Sequence, residues 1–294
     1  MKLRIDVDAT DGAARTGSIA TARGVLPTPL FMPVGTRAAV KTLDTADLES
    51  LGIPLVLGNT YHLMLRPGAD VVAAMGGLHR FMDWSGHLLT DSGGYQIFSL
   101  EPKVTDDGAT FRSTYDGSTH HLTPEGAVEV QTLLGADIQM VLDVCPALPS
   151  SPAVVQAAVD RTAHWAQRAR RSFLAGAEAR AGRGLHQSQF GISQGGIDAS
   201  LRAESAQRTV EVGFDGYAIG GLSVGETRQE MLPALAAAIE HLPDDQPRYL
   251  MGVGDPAAIV EAVGLGVDLF DCVLPTRHAR HGTVLTGTGK LSIK

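Results

Sequence analysis

An α/β fold closed into a (β/α)8 barrel of the TIM type is predicted by three observations. Eight short apolar segments alternate with helix-like stretches along most of the chain. Two of these segments stop at an acid followed by turn or small residues, in Leu-Thr-Asp91-Ser-Gly-Gly and in Val-Asp-Leu-Phe-Asp271-Cys. Glycine pairs follow several of the others, at Gly195-Gly196 and Gly220-Gly221. Apolar runs bury strands, so a polar residue at the end of one stands at the rim of a sheet, and repeated strand ends of this kind mark the mouth of a barrel.

The elements follow in order. Residues 1–29 read as a small antiparallel cap, with Gly, Thr and Pro punctuating short strands. The eight barrel strands are expected at Leu30–Val34, Leu55–Asn59, His87–Thr90, Ile138–Leu142, Phe190–Ser193, Tyr217–Ile219, Tyr249–Val253 and Val267–Phe270. Asp44 or Thr45 opens a helix over Ala-Asp-Leu-Glu-Ser-Leu. Thr123-Pro124-Glu125 opens another, with Pro at the first helical position and Gly135 past the last. Longer helices are expected from Pro152 to about Leu174 and from Gln229 to His241, the latter stopped by Pro243. Residues 99–121, with Asp106-Asp107-Gly108 and Asp116-Gly117 turn signals, read as a hairpin inserted after the third strand. The barrel thus occupies 30–294. After the eighth strand the remaining residues read as turn and strand, so the final barrel helix is expected to be missing.

Composition narrows the class. The chain has 294 residues, 44% of them hydrophobic and 19% charged, which suits a globular protein with a large core. No apolar run approaches the roughly 20 residues that span a bilayer, and the N-terminus lacks the apolar stretch of a signal peptide, so no membrane partner and a cytoplasmic setting are expected. The two cysteines, Cys145 and Cys272, are not at metal-ligand spacing and form no CxxC pair. A net charge of −8 argues against non-specific coating of nucleic acid. Local basic segments remain: no acid follows Cys272, where Arg277, Arg280, Lys290 and Lys294 lie, and Arg161, Arg168, Arg170 and Arg171 cluster earlier.

The residues expected at the barrel mouth suggest chemistry on a planar base. Asn59, Tyr61 and His62 follow the second strand, Asp91, Ser92, Gly93, Gly94 and Tyr95 the third, and Asp143 and Cys145 the fourth. Gln194 with its glycines follows the fifth, Gly220, Gly221 and Leu222 the sixth, Gly252 and Gly254 the seventh, and Asp271 the eighth. Glycines let backbone groups approach a flat ligand, while Asp and Gln supply the paired donors and acceptors that read a base edge. Tyr95 and Met251 offer surfaces for the two ring faces. Several carboxylates around one cavity allow one to act as nucleophile and another to move a proton, the arrangement that supports an oxocarbenium-like transition state at a sugar's anomeric carbon.

Longer stretches carry a resemblance. Gly58-Asn-Thr-Tyr-His-Leu-Met-Leu-Arg-Pro-Gly68, Thr90-Asp-Ser-Gly-Gly-Tyr-Gln96, Gly191-Ile-Ser-Gln-Gly-Gly196, Phe214-Asp-Gly-Tyr-Ala-Ile-Gly-Gly-Leu-Ser-Val-Gly-Glu226, Tyr249-Leu-Met-Gly-Val-Gly254 and Phe270-Asp-Cys-Val-Leu-Pro-Thr-Arg277 resemble the tRNA-guanine transglycosylases of bacterial type. The resemblance implies exchange of the wobble guanine in the tRNA anticodon loop for a 7-deazaguanine such as preQ1. It casts Asp271 as nucleophile and Asp91 as proton acceptor. Asp143, Gln194, Gly220, Gly221 and Leu222 would bind the base edge, with Tyr95 and Met251 on its faces and Cys145 and Val224 beside it. Thr276, Arg277 and Arg280 would hold the anticodon loop, and a homodimer is implied as the assembly. The alternatives are a non-catalytic subunit or fragment and a DNA-directed relative.

Departures from the family pattern set further expectations. Asp143-Val144-Cys145 stands where Asp-Glu-Cys is usual, leaving Glu226 alone to assist switching of the Gly-Leu peptide between bases. His278 and His281 stand where Asn is usual. Relatives continue into a subdomain whose three cysteines and one histidine bind zinc, and then into the helix that closes the barrel. Those ligands would lie beyond Lys294, so no metal is expected in this chain, and part of the dimer surface is expected to be absent.

Overall fold

The structure is a computed structural model and describes residues 3–293; Met1, Lys2 and the tail's Lys294 lie outside them. A three-stranded antiparallel sheet comes first, formed by β1 (Ile5–Asp11), β2 (Ala14–Thr21) and β3 (Gly24–Thr28). The chain then enters the barrel through β4 (Leu30–Gly35), β5 (Leu55–Gly58) and β6 (His87–Thr90). An inserted sheet of β7 (Lys103–Val104), β8 (Ala109–Arg112) and β9 (Thr119–Leu122) follows. The barrel resumes with β10 (Ile138–Met140), β11 (Ser188–Ser193), β12 (Gly216–Ile219), β13 (Arg248–Leu250) and β14 (Leu269–Cys272). All eight strands pair in parallel, and β14 closes on β4 with Asp271 opposite Met32. A parallel sheet covered on both faces explains why its strands read as continuous apolar runs rather than alternating ones.

The helices form where their end signals predict them. The helix Pro124–Leu134 has Thr123 as its cap, with Oγ1 accepting from Gly126 N at 3.0 Å, and ends in left-handed Gly135. Asp44, rather than Thr45, caps Thr45–Ser50. The helices Pro152–Ala175 and Arg228–Ile239 lie within a residue or two of their expected bounds.

Four local expectations are corrected. The insert is a three-stranded sheet rather than a hairpin, because Val104 and Lys103 pair with Ala109 and Thr110; a two-residue strand carries no periodicity to read. The seventh strand stops at Leu250, where Gly252 at φ +75° turns its N–H out of the ladder. The eighth runs through Asp271 to Cys272, so this acid lies within the strand rather than after it. Finally, the chain after β14 begins with a helix, Leu274–Arg280, before the hairpin β15 (Thr283–Thr286) and β16 (Gly289–Ser292). That helix buries none of its residues, so it left no apolar stripe in the sequence.

The N-terminal sheet plugs the end of the barrel opposite the site. Leu3, Ile5, Ile19 and Leu26 join the barrel's apolar core, and Arg15 reaches the starts of β13 and β14. Its guanidinium donates to both Asp268 carboxylate oxygens at 2.8 and 2.7 Å, to Gln246 O at 3.0 Å and to Asp244 O. Asp268 is fully buried, so removal of the cation strands a charge. Arg15→Ala is expected to destabilise the fold by about 3–5 kcal/mol in chemical denaturation, without altering base affinity.

The early arginine cluster also belongs to the fold. Arg161 pairs with Asp106, Arg168 with Glu125 and with the Asp106 and Asp107 carbonyls, and buried Arg170 with Asp215. Except for Arg171, which is exposed, these side chains fasten the long helix to the insert and to the barrel. Among the described residues, no helix is long and apolar enough to cross a membrane.

Candidate active site at the barrel mouth

The carboxyl ends of the strands enclose a cavity of about 260 Å³. That is near the lower end of small-molecule sites, which start at about 300 Å³, and suits a base-sized ligand. Asp91, Asp143 and Asp271 all line it, with Tyr95, Cys145, Gly220, Gly221, Leu222, Val224 and Met251. Their strands explain the convergence: Asp91 follows β6, Asp143 follows β10 and Asp271 lies at the end of β14.

Each carboxylate has its own set of donors. Asp91 Oδ1 accepts from Thr60 N at 2.7 Å and Gly93 N at 3.2 Å, while Asn59 Nδ2 donates to Oδ2 at 2.5 Å. Burial pushes its pKa up to about 6 against these donors, and the charge of Asp271 adds to the rise. Asp143 Oδ2 accepts from Gln194 Nε2 at 2.6 Å, and burial raises its pKa to about 6 as well. Asp271 Oδ1 accepts from Tyr249 OH at 2.6 Å and Gly252 N at 2.7 Å. Both donors engage one oxygen, and among the described residues none reaches Oδ2. Burial raises the Asp271 pKa, with those two hydrogen bonds opposing the rise.

The polar frame behind the base wall is equally defined. Gln194 stands behind Asp143 rather than on the cavity surface, and its buried Oε1 has no partner among the described residues. Gly220 and Gly221 press against the Gln194 amide so closely that a Cβ on either would collide with it; Gly221 also has φ +65°. Glu226 accepts from Ser223 N and, at 3.0 Å, from Val224 N. The Cys145 thiol is pushed up to about 12 by burial and then by the Asp143 charge, so it is a packing group and not a nucleophile at neutral pH.

Other expected members lie elsewhere. Tyr61 is buried with its hydroxyl on Thr114, and His62 Nδ1 meets the Tyr115 hydroxyl at 2.9 Å, so both brace the insert. Gly254 packs against Cys272. Val144 points into an apolar cluster with Trp165, Leu142 and Ile97, its N–H donating to Thr162 Oγ1 at 3.0 Å, and does not line the cavity. Thr276, Arg277 and Arg280 sit on the helix that follows β14, and both arginines are exposed. His281 Nδ1 lies 2.7 Å from the Arg277 carbonyl within that segment.

Two residues that sequence reasoning missed hold the site. The Tyr249 hydroxyl was legible in principle, because Tyr249 lies in a strand whose carboxyl end carries Met251 and Gly252 into the cavity. Arg202 was not: it sits among Ser, Ala and Glu on an ordinary helix, Ala199–Val212, yet is fully buried behind the 220–221 loop. Among the described residues both cysteines are free and no three His, Cys, Asp or Glu side chains converge.

Comparison with known proteins shows the family. The family described as queuine tRNA-ribosyltransferase matches residues 9–294. A queuine tRNA-ribosyltransferase of Solidesulfovibrio magneticus is 52% identical over 286 residues, covering 97% of this chain and 75% of the relative. One from Symbiobacterium thermophilum is 52% identical over 284 residues, covering 96% and 69% respectively. One from Sphingopyxis alaskensis is 50% identical over 295 aligned residues, covering 100% and 78%. With the match running from the N-terminal sheet through every strand that bears a pocket acid, this chain belongs to the queuine tRNA-ribosyltransferase family.

Proposed function

We propose that this protein is a tRNA-guanine transglycosylase that exchanges the wobble guanine of a tRNA anticodon for a 7-deazaguanine, preQ1. The observation that carries the reading is the pairing of two differently held carboxylates in one base-sized cavity. Asp271 offers a free Oδ2 while Tyr249 and Gly252 hold its other oxygen. Asp91 is clamped by three donors and titrates near 6.

The chemistry balances with these two acids. Asp271 Oδ2 attacks the ribose anomeric carbon, forming a C–O bond as the C–N bond to guanine breaks and its electron pair moves to the base nitrogen. Asp91 in its protonated form gives that nitrogen a proton. The incoming base returns a proton from its own ring nitrogen to Asp91 and attacks the same carbon, releasing the Asp271 carboxylate. Asp143, placed by Gln194, and the Gly221 N–H read the base edge, with Gly220 admitting close approach. Tyr95 and Met251 cover its faces, and Cys145 and Val224 limit bulk beside the ring. Because Ser223 N–H points to Glu226, the Leu222 carbonyl, trans to it across the peptide, is directed the other way and is free for an aminomethyl group. Arg277, Arg280 and Thr276 would grip the anticodon-loop phosphates next to Asp271. We place the reaction in the cytoplasm, consistent with two unpaired thiols.

Incorporation of labelled guanine into tRNA, and its displacement by preQ1, tests the reading. Label entering duplex DNA but not tRNA would favour the DNA-directed alternative, and uptake into neither would refute the exchange activity. The pH profile supplies a second check. Asp91 and Asp143 have raised pKa values of about 6, so their ionised forms are lost as pH falls through that value. The rate at low base concentration is expected to fall about tenfold or more for each unit below pH 6, with a slope steeper than one. A flat profile from about pH 5 to 8 would remove Asp91 from proton transfer.

A further inference from the structure

Buried arginines in this fold come with a carboxylate or an aromatic ring, except one. Arg15 pairs with Asp268, Arg170 with Asp215, Arg248 with Asp244, and Arg180 stacks on Phe173. Arg202 is fully buried, yet among the described residues it forms no ion pair. It spends its donors on backbone carbonyls of two loops: Nε on Gly196 O at 2.7 Å, Nη1 on Gly220 O at 2.7 Å and Ser193 O at 3.4 Å, and Nη2 on Gly221 O at 3.0 Å. Burying a cation without a counter-ion is costly unless dipoles compensate it, and a guanidinium fork is the side chain able to meet several carbonyls at fixed angles.

The direction of those carbonyls matters. Arg202 is outside the cavity, whereas Gly220, Gly221 and Leu222 line it. In a trans peptide the N–H points opposite to the C=O. Carbonyls of Gly220 and Gly221 turned back to the guanidinium therefore leave the N–H groups of Gly221 and Leu222 facing the cavity. The Gly221 N–H does lie against the thiol of Cys145, a cavity residue.

We infer that Arg202 is a positioning residue of the base pocket: by holding the Gly220 and Gly221 carbonyls behind the wall, it aims two adjacent backbone donors at the ligand and so selects a base with an acceptor oxygen at that edge. The inference rests on the base-exchange reading and names what sets the donor side of that site. Glycines at 220 and 221 admit the close approach, but a flexible glycine pair has no preferred peptide orientation of its own. The guanidinium supplies that orientation.

The test uses Arg202→Lys and Arg202→Met in the whole chain, with circular dichroism to check folding. Exchange kinetics give KM for guanine and for tRNA, and calorimetry gives the binding preference for guanine over 2,6-diaminopurine, in which an amino group replaces the exocyclic carbonyl oxygen. Each lost donor is expected to raise the guanine KM about tenfold and to lower the preference by a similar factor, while KM for tRNA stays unchanged. Arg202→Lys should fall between wild type and Arg202→Met. Folded variants with unaltered guanine KM and preference overturn the inference. So does an equal loss toward guanine and diaminopurine, or unfolding of both variants, since either makes Arg202 a structural staple. If the wild-type chain performs no exchange, the base-exchange reading fails instead, and calorimetric preference alone decides the role of Arg202.

Discussion

On the proposed mechanism, Asp271→Asn is expected to abolish base exchange while leaving the chain folded, with a loss on the order of a thousandfold or more, equivalent to about 4 kcal/mol of barrier. The reason is specific to one oxygen. Tyr249 and Gly252 both donate to Oδ1, so the substituted amide can keep its carbonyl there and would present its NH2 in place of Oδ2, the oxygen proposed to attack. The covalent RNA–protein species, trapped on a denaturing gel, should vanish with it. A variant that still exchanges guanine or still traps RNA would show that another group attacks the ribose. Folding should not suffer, because burial raises the pKa of Asp271 and a neutral amide avoids that cost.

Asp143→Asn should separate affinity from stability in opposite directions. Losing a charged acceptor for the base edge is expected to cost about 1.5–3 kcal/mol of binding, a rise in base KM of roughly 10- to 100-fold. Stability should move the other way. Burial pushes the folded pKa of Asp143 up to about 6, above the ordinary aspartate range. A raised pKa means that the acid's contribution to stability is complete below the unfolded value and is lost as pH rises through the folded one. At pH 8 the ionised group therefore burdens the fold by an amount of order 1–3 kcal/mol, which Asn relieves; near pH 4 and below the gain disappears. Denaturant unfolding of both proteins at the two pH values checks this. A variant equally stable at both, or weaker at pH 8, would mean that Gln194 and its neighbours already compensate the charge. Such an opposition is typical of sites in which burial serves binding rather than the fold.

The sequence was most legible where local chemistry and tertiary position coincide. The barrel strands are buried on both faces, so continuous apolar runs mark them, and a polar residue ending such a run has only the rim to occupy. Asp91, Asp143 and Gly220-Gly221 were found in this way. The helix Leu274–Arg280 was not, because a surface helix of seven residues without a buried face has neither the length nor the stripe that periodicity detects. The basic cluster at 161–171 misled for the opposite reason. Charge on a helix reads the same whether it faces solvent or the carboxylates of an insert far away in sequence, such as Asp106 and Glu125.

By itself, the order of residues determined the strand–helix alternation, the closed parallel architecture and the acids at the strand ends, since these depend on burial periodicity and on end signals within a few residues. Only the tertiary structure decided which atom of Asp271 is free, what clamps Asp91, and that Arg202 stands behind Gly220 and Gly221. Each of those facts is a contact between groups distant along the chain. Distance and donor direction across a barrel arise from how eight strands close upon one another, and no local pattern encodes them.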